Sequence, residues 1–227
     1  MNNKLFGLLA PLLAACLLLT ACGDDNDARL RVVHASPDAS NVDVFLDESR
    51  ILSDVPFKGS SDYRDVRDGS RRIQVRPAGA SSPDVIDATV NLTGDTDFTL
   101  LAVGLANSIN PLLLTDDNSE PTSGNAKIRI VHAAPSAPAV DVYLTAPGAD
   151  IITATPQLTN VPFQAFSGYL NVPAGSYQAR VTIAGTKTVA IDSGQLTLES
   201  RQIRTVVAVD NTGGGAPFGL IVLRDSR

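Results

Sequence analysis

The two histidines of this sequence have the side chains best suited to acid–base or metal chemistry. His34 and His132 are the only histidines among 227 residues, and each lies between Arg-x-Val and Ala-x-Pro. An imidazole here could act as a general base or a metal ligand, or its two nitrogens could hold the backbone of the following loop. A usual zinc site takes three or four nitrogen or sulfur ligands. One histidine per motif therefore favours the loop-holding role and predicts no metal site.

Two arginines and two aspartates accompany the histidines. Arg31 and Arg129 precede them by three positions, and Asp43 and Asp141 follow within Val-Asp-Val. If the strands on either side of the loop form a hairpin, Arg31 would face Asp43 and Arg129 would face Asp141. Surface ion pairs of this kind are worth roughly 0.2–1 kcal/mol. The pattern favours structural ion pairs over catalytic carboxylates, and it predicts that Arg31→Ala costs little stability.

Familiar catalytic patterns are missing from the sequence. It contains no G-x-S-x-G, H-E-x-x-H or P-loop pattern, and no cysteine follows Cys22. A serine–histidine–aspartate set could still assemble in space, because such triads are defined by geometry. We therefore predict no catalytic residue and no cofactor. A hydrolase that uses the repeated histidine remains the alternative.

The elements that position these residues occur twice. Residues 31–46 return as residues 129–144, with ten of sixteen positions identical. Further matches follow at an offset of 106, and Leu112–Leu114 matches Leu220–Val222 at 108. A tandem of two copies of one domain is therefore expected. The predicted boundaries are 29–118 for the first repeat, 119–125 for a linker and 126–227 for the second repeat.

Short runs of β-branched and aromatic residues alternate with turn formers in both copies, and no segment has helical periodicity with caps. This pattern predicts an all-β fold with two tandem immunoglobulin-like or transthyretin-like β-sandwich domains. Asp68-Gly69 predicts a hairpin turn, and Val55-Pro56-Phe57 predicts the start of a strand or an edge. The strands predicted for the first repeat are 29–35, 42–47, 61–66, 71–77, 84–92, 96–104 and 111–116.

The amino-terminal residues predict export and a lipid anchor. Lys4 and the apolar run that follows are typical of a signal peptide over 1–21, because the run is shorter than the roughly 20 residues of a membrane span. Leu19-Thr20-Ala21-Cys22 resembles the bacterial lipobox, which implies that Cys22 is lipidated and begins a tether over 22–28. Cys16 also fits the pattern, and secretion after cleavage without lipidation is the other alternative.

Charge and anchor together restrict the partners. Residues 23–120 hold 9 basic and 18 acidic side chains, which argues against nucleic acid. We expect a cell-envelope protein held by membrane lipid, with a protein or glycan as a possible ligand. The outer membrane or the periplasmic side is favoured, because Gly23 follows the modified cysteine.

The repeated motif Arg-(Val/Ile)-Val-His-Ala-x-Pro, followed by Val-Asp-Val-(Phe/Tyr)-Leu, resembles the opening of an uncharacterised bacterial domain-of-unknown-function family. The resemblance covers residues 29–227 and implies exported, lipid-anchored envelope proteins, often with tandem domains. The segment Val172–Tyr177 matches the family's central turn, whereas the first copy departs from it at Arg67, Asp68 and Arg71. The family motif carries no assigned catalytic residue.

These observations favour a lipid-anchored envelope protein with a non-enzymatic binding, adhesion or scaffolding role. The alternatives are the histidine-dependent hydrolase and an accessory subunit of an envelope complex. In a binding protein of this kind, loops at one end of the strands would carry specificity. The best candidates are the eight extra residues of the second copy, around 146–153, and the loop at Gly213.

Overall fold

The structure, a computed structural model, describes residues 26–225. The predicted signal peptide, Cys22 and the first residues of the tether lie outside the described residues. Within residues 26–225, no helix is long and apolar enough to cross a membrane. The only helix there is a 3-10 turn at Ala106–Ser108.

Each repeat contains eight strands. Those of the first repeat are β1 (Ala28–His34), β2 (Val42–Leu46), β3 (Ser49–Val55), β4 (Arg64–Val66), β5 (Gly69–Pro77), β6 (Ile86–Leu92), β7 (Asp97–Val103) and β8 (Asn110–Asp116). Those of the second repeat are β9 (Asn125–His132), β10 (Val140–Thr145), β11 (Leu158–Val161), β12 (Leu170–Pro173), β13 (Gly175–Ile183), β14 (Val189–Leu198), β15 (Ile203–Val209) and β16 (Gly219–Arg224).

The strands form four sheets of four strands, two in each repeat. Sheet A has the order β4-β1-β7-β8 and sheet B the order β3-β2-β5-β6. In the second repeat, sheet C has the order β12-β9-β15-β16 and sheet D the order β11-β10-β13-β14. The central pairs β1–β7 and β9–β15 are parallel, whereas the other pairs are antiparallel. This architecture confirms the predicted all-β fold in two domains.

One strand of the first repeat, β3, was missing from the prediction. Four of its seven residues are exposed, so it lacks the apolar alternation that marks a half-buried strand. The chain reaches it through a tight turn at Asp47 and Glu48, which both have positive φ. Val55 ends β3, so Val55-Pro56-Phe57 lies at the end of an edge strand and not at the start of a strand.

The predicted hairpin at Asp68-Gly69 was wrong. The strand before this turn, β4, pairs with β1 in sheet A, whereas the strand after it, β5, pairs with β2 and β6 in sheet B. The turn therefore carries the chain from one sheet to the other. Gly69 has a φ of 91°, which glycine adopts without the steric cost of a side chain.

Three hydrophobic cores hold the four sheets as layers in the order B, A, C, D. The first core lies between sheets B and A, and the third lies between sheets C and D. The second core joins sheet A to sheet C and so belongs to both repeats. Its buried members are Val33, Ala35, Leu101, Val103, Leu114, Val131, Ala133, Val207, Val209, Ile221 and Leu223. The two repeats therefore share a hydrophobic core and are held together by more than the linker.

The last strands of the two repeats align one residue away from the predicted match. Leu114 pairs with Thr99, and Leu223 pairs with the equivalent Thr205, so the offset is 109 and not 108. Because successive side chains of a strand point to opposite faces, this single residue decides which side chains enter which core. In the observed register, Asp116 is the equivalent of Asp225.

Both repeats point the same way along the molecule. The loop after β15 reaches the first repeat, where the Gly213 N–H donates to the Pro37 carbonyl at 2.8 Å, close to both histidines. At the other end, the Lys127 ammonium lies 2.6 Å from Asp117, two residues before the linker, and the Asp95 N–H donates to the Asp27 carbonyl. We call these the histidine end and the linker end. The amino-terminal tether joins the body at the linker end.

Candidate functional site

The two histidines hold the corners that follow β1 and β9. His34 is fully buried, its Nε2–H donates to the Ser40 carbonyl at 3.1 Å, and its Nδ1 accepts the Ser36 N–H at 3.4 Å. Burial lowers the pKa of the His34 imidazole. With both nitrogens engaged by backbone, the ring is neutral and fixed in one orientation.

His132 repeats this arrangement in the second repeat. Its Nε2–H donates to the Pro138 carbonyl at 3.1 Å, and its Nδ1 accepts the Ala134 N–H at 3.3 Å. Burial lowers the pKa of this imidazole too. Each ring also meets an aromatic edge, from Phe57 in the first repeat and Phe163 in the second. The structure places both histidines in the loop-holding role.

Asp43 and Asp141 do not pair with the arginines of the neighbouring motif. Asp43 Oδ1 accepts the Asp54 N–H at 2.8 Å, and its Oδ2 accepts the Gly79 N–H at 3.2 Å. The bond from the Asp54 backbone is the main cause that lowers the pKa of Asp43. The exposed Arg50 guanidinium is only a distant partner, at 3.5 Å.

The second repeat uses Asp141 in the same way. It accepts the N–H groups of Asn160 at 2.8 Å and Gly185 at 2.9 Å. Asn160 and its first-repeat equivalent, Asp54, both have positive φ, at irregular points of the edge strands β11 and β3. These two carboxylates therefore fasten an edge strand and a turn to the outer sheet of each repeat.

Arg31 and Arg129 are buried between the repeats, so the predicted surface pairs with Asp43 and Asp141 do not form. The Arg31 guanidinium donates to Asp225 at 2.6 Å, to the Arg224 carbonyl at 3.0 Å and to Thr99 Oγ1. Its side chain is 4% exposed, and that of Asp225 is fully buried. The first repeat thus provides the cation and the second repeat the anion.

Arg129 makes the reciprocal exchange. Its guanidinium donates to Asp116 at 2.5 Å, to the Thr115 carbonyl at 3.0 Å and to Thr205 Oγ1 at 3.1 Å. Two arginines and two aspartates therefore form a neutral buried cluster across the interface. The carboxylates receive further bonds from Thr99 Oγ1 to Asp116 and from Thr205 Oγ1 to Asp225.

Two tyrosines complete this cluster. The Tyr63 hydroxyl donates to Asp116 at 2.6 Å, and the Tyr169 hydroxyl donates to Asp225 at 2.9 Å. The ring of Tyr63 lies under Arg31, with 4.6 Å from the guanidinium carbon to the ring centre, and Tyr169 lies under Arg129 at 4.7 Å. Burial raises the pKa of both phenols, so they act as hydrogen-bond donors.

Sequence reasoning missed four members of this cluster: Asp116, Asp225, Tyr63 and Tyr169. The tyrosines matched one another between the copies without any assigned role. The aspartates were not matched, because the offset of 108 placed Asp116 opposite Arg224. With an offset of 109, Asp116 would have matched Asp225. These two aspartates would then have joined Arg31 with Arg129 and Asp43 with Asp141 as a third charged position repeated in both copies.

A cavity of about 660 Å³ opens beside this cluster at the linker end. Its walls are mostly acidic, but their charges are largely neutralised by neighbours. Asp97 makes two bonds to Arg29, Asp117 binds Lys127, and Glu120 lies 3.1 Å from Arg201. Across residues 26–225, no group of three or more acidic, histidine or cysteine side chains is arranged to hold a metal ion.

The two predicted specificity loops make contacts within the chain. The extra residues of the second repeat lie over the outer face of sheet D, where Arg180 donates to the Ala149 carbonyl at 2.6 Å and Lys187 to the Ile151 carbonyl at 2.7 Å. Ile152 in this segment is 70% exposed. The Gly213 loop binds the Pro37 carbonyl across the interface. Both segments are thus fastened to the body of the chain, and most of their residues remain exposed.

Several solved structures resemble this chain weakly. The Bacillus anthracis TIE protein is 9% identical, with a TM-score of 0.27 over 82% of this chain, which spans 34% of that protein. A family 26 carbohydrate-binding module of Eubacterium rectale Amy13K, in complex with maltoheptaose, is 9% identical, with a TM-score of 0.27 over 88% of this chain and 98% of its own. A putative adhesin from Bacteroides ovatus is 9% identical, with a TM-score of 0.26 over 87% of this chain and 95% of its own. Likenesses this distant carry no conclusion about a ligand.

No curated protein matches the chain. A family model does match, over residues 28–143 and again over 145–227, and so covers nearly all of the described chain. Its description is that of a domain of unknown function. The chain therefore belongs to the DUF4397 family.

Proposed function

We propose that this protein is held in the bacterial envelope by lipid on Cys22 and has a non-enzymatic binding role. The proposal of a non-enzymatic role rests on the hydrogen bonds that the two histidine rings form. Both ring nitrogens of His34 and of His132 are bonded to backbone groups, and neither ring is open to a substrate. The buried arginines and aspartates are likewise engaged with one another across the repeat interface.

The geometry of the amino terminus supports the anchor. The tether enters the body at the linker end, and the five steps from Cys22 to Asp27 span at most about 18 Å at roughly 3.6 Å per residue. The linker end would therefore lie against the membrane, with the histidine end furthest from it. A rigid body of four stacked sheets suits a protein that presents fixed surfaces to a partner, because its side chains are positioned before binding.

Metabolic labelling with an alkyne analogue of palmitate tests the anchor in a bacterial host. The wild-type chain and the Cys16→Ser variant should incorporate label and remain with membranes, whereas Cys22→Ser should do neither. A sucrose gradient then separates inner from outer membranes, and we expect the outer fraction. Unlabelled wild-type protein, or label that survives Cys22→Ser, would refute the assigned anchor.

Photo-crosslinking in intact cells tests the binding role. A photoreactive amino acid placed at exposed positions on each face should produce discrete adducts from one face only. Adducts from every face alike, or none, would count against a specific binding surface. A chain with both histidines replaced by glutamine should give the same adducts if it folds. Loss of adducts from a folded double variant would contradict the structural role of the histidines.

A further inference from the structure

The open side of the second repeat contains a cavity of about 190 Å³ between β14 and β16. We call it the arginine slot. Its floor is Ile128 and Val206, which belong to the third core. One wall is Val222 of β16, which is 50% exposed and so among the most exposed large apolar residues of the described chain. The remaining lining residues are Leu196, Thr197, Leu198 and Arg204.

One arginine, Arg204, lines this slot, and a second, Arg224, stands beside it on β16. Arg204 of β15 lies directly across from Arg224 of β16, and both side chains are on the face that points towards sheet D. Within residues 26–225, neither side chain forms a hydrogen bond or an ion pair. Like charges directly opposite each other destabilise a sheet. Burial and then the charge of Arg224 lower the pKa of Arg204, and these effects outweigh the opposing charges of Asp225 and Glu199.

The first repeat shows what this position looks like when it is closed. In the observed register, Phe98 and Thr115 are the equivalents of Arg204 and Arg224, and Leu113 is the equivalent of Val222. Phe98 is 4% exposed and belongs to the first core, and Leu113 packs against the same core. The second repeat thus has an arginine where the first repeat has a core phenylalanine, and it lacks that buried aromatic side chain. The exchange opens the slot and makes it cationic.

The slot borders a strand edge that could accept another strand. Strand β16 is the outer strand of sheet C, is in unbroken register with β15 and contains no proline. Three other long outer strands are interrupted: β8 contains Pro111, β14 contains Gly194 with positive φ, and β3 has register shifts. The outer strand β6 of the first repeat is as regular as β16. Interruptions of this kind protect edges from unwanted pairing. The edge of β16 lacks such interruptions, and within the described residues only its last carbonyl, that of Arg224, is engaged, by the Arg31 guanidinium at 3.0 Å.

A second cavity, of about 340 Å³, lies on the opposite flank of β16. It is polar, and residues of the first repeat line it together with the end of β16; these are Arg29, Arg31, Ser60, Ser61, Asp62, Tyr63, Val222, Leu223 and Arg224. Side chains of an added strand point alternately to the two faces of a sheet. One set would enter the arginine slot and the other would enter the polar cavity, which is how strand addition combines backbone pairing with side-chain selection.

We propose that the edge of β16 binds an extended peptide segment of a partner protein, with an acidic side chain that faces Arg224, with Arg204 one strand further in, and with apolar neighbours in the slot. The proposal deepens the binding role proposed above by naming the chemistry of the partner. Anionic lipid is the poorer occupant, because the first repeat beside β16 is strongly acidic: residues 23–120 hold 9 basic and 18 acidic side chains, which repel anionic headgroups.

The test uses the full chain, purified in detergent, and a fluorescent seven-residue peptide with blocked ends. The peptide alternates threonine and valine and has glutamate at its centre, so that valine, glutamate and valine share one face. Fluorescence anisotropy should show saturable binding to the wild-type chain. Arg224→Thr and Arg204→Phe, which install the residues of the first repeat, should each weaken binding at least about tenfold, as expected for loss of a charge-assisted contact.

Two controls separate recognition from folding. Arg224 is exposed, so Arg224→Thr should leave the thermal unfolding midpoint unchanged or raised, since it removes a repulsion. The charge-reversed Arg224→Glu variant should lose the glutamate peptide and gain a peptide with lysine at its centre. A peptide with proline in place of its threonines should fail to bind the wild-type chain, because it cannot pair with the edge of β16.

Three results would overturn the proposal. Equal affinity of wild type and both first-repeat variants would show that the arginines do not recognise the peptide. Equal binding of the proline peptide would exclude strand addition. Octanoate that binds alone, displaces the peptide and shows the same dependence on Arg224 would assign the slot to a small carboxylate. None of these results touches the labelling of Cys22, so the envelope anchor can stand or fall separately.

Discussion

Arg31 in the first strand donates a 2.6 Å hydrogen bond to Asp225, which lies 194 residues further along the chain. The pair joins the beginning of the first repeat to the end of the second, and Arg129 with Asp116 repeats it in the opposite sense. Charges buried at this depth are tolerated only when their partners are present. The interface between the repeats therefore depends on both halves being complete.

We expect Arg31→Ala to lower the free energy of unfolding by about 3–5 kcal/mol, because it leaves Asp225 buried without its cation. Asp225→Ala should cost a similar amount, and the double variant should cost clearly less than the sum. Urea denaturation of the four proteins measures this coupling. Arg67→Ala, at an exposed arginine, is the control and should change stability by less than about 0.5 kcal/mol. Additive effects in the cycle would show that the two residues do not interact.

The shared core predicts that the two repeats stay together when the linker is cut. A protease site inserted between Ser123 and Gly124 should be cleaved, and the two fragments should still elute as one species in size exclusion. Val207→Asp places a charge in the shared core, where Val207 is fully buried, and should separate the fragments. Thr93→Asp, on an exposed loop, should not. Separation of unmutated fragments would contradict the joint core.

The position of Arg31 shows what sequence could and could not reveal. Alternation and the proline corner sufficed for most strands of the first repeat, though not for β3, and for the histidines, because these depend on residues close in sequence. The partner of Arg31 depends on how one repeat packs against the other, which a hairpin argument cannot supply. Yet Leu30, Val32 and Val33 surround Arg31 with apolar residues on both faces of the strand. Such a run is typical of a strand buried on both sides, and this signal, which the surface-pair prediction did not use, agrees with the burial of Arg31.

The arginine slot could not be predicted for a related reason. It depends on the register of β16, and the matched run of leucine, isoleucine and valine allowed a shift of one residue. With the wrong offset, Val222 aligns with Leu114 of the shared core. The alignment then does not show that the second repeat has Arg224 where the first repeat has Thr115. The pairing of β15 with β16, which places Thr205 opposite Leu223, fixes the alignment.

Asp43 should matter through its backbone bonds and not through its ion pair. Asp43→Ala removes the acceptor for the N–H groups of Asp54 and Gly79, and we expect a loss of about 1–3 kcal/mol. Arg50→Ala should be nearly neutral, since its guanidinium is exposed and 3.5 Å away. Denaturation midpoints at neutral pH measure both. Equal losses in the two variants would show that the ion pair dominates.

Stability should fall as the pH is lowered through the range in which free histidine titrates. Burial lowers the pKa of His34 and His132 below the ordinary value near 6.5, so the unfolded chain binds more protons than the folded chain below that pH. The stabilisation is thus complete above about pH 6.5 and is lost towards the folded pKa, at up to about 1.4 kcal/mol per pH unit for each ring. Urea denaturation from pH 7.5 to 5.5 should show this slope. His34→Gln should be less stable at pH 7.5 but should have a shallower slope, because one titrating ring is gone. An unchanged slope in that variant would mean that the buried imidazole is not the group that titrates.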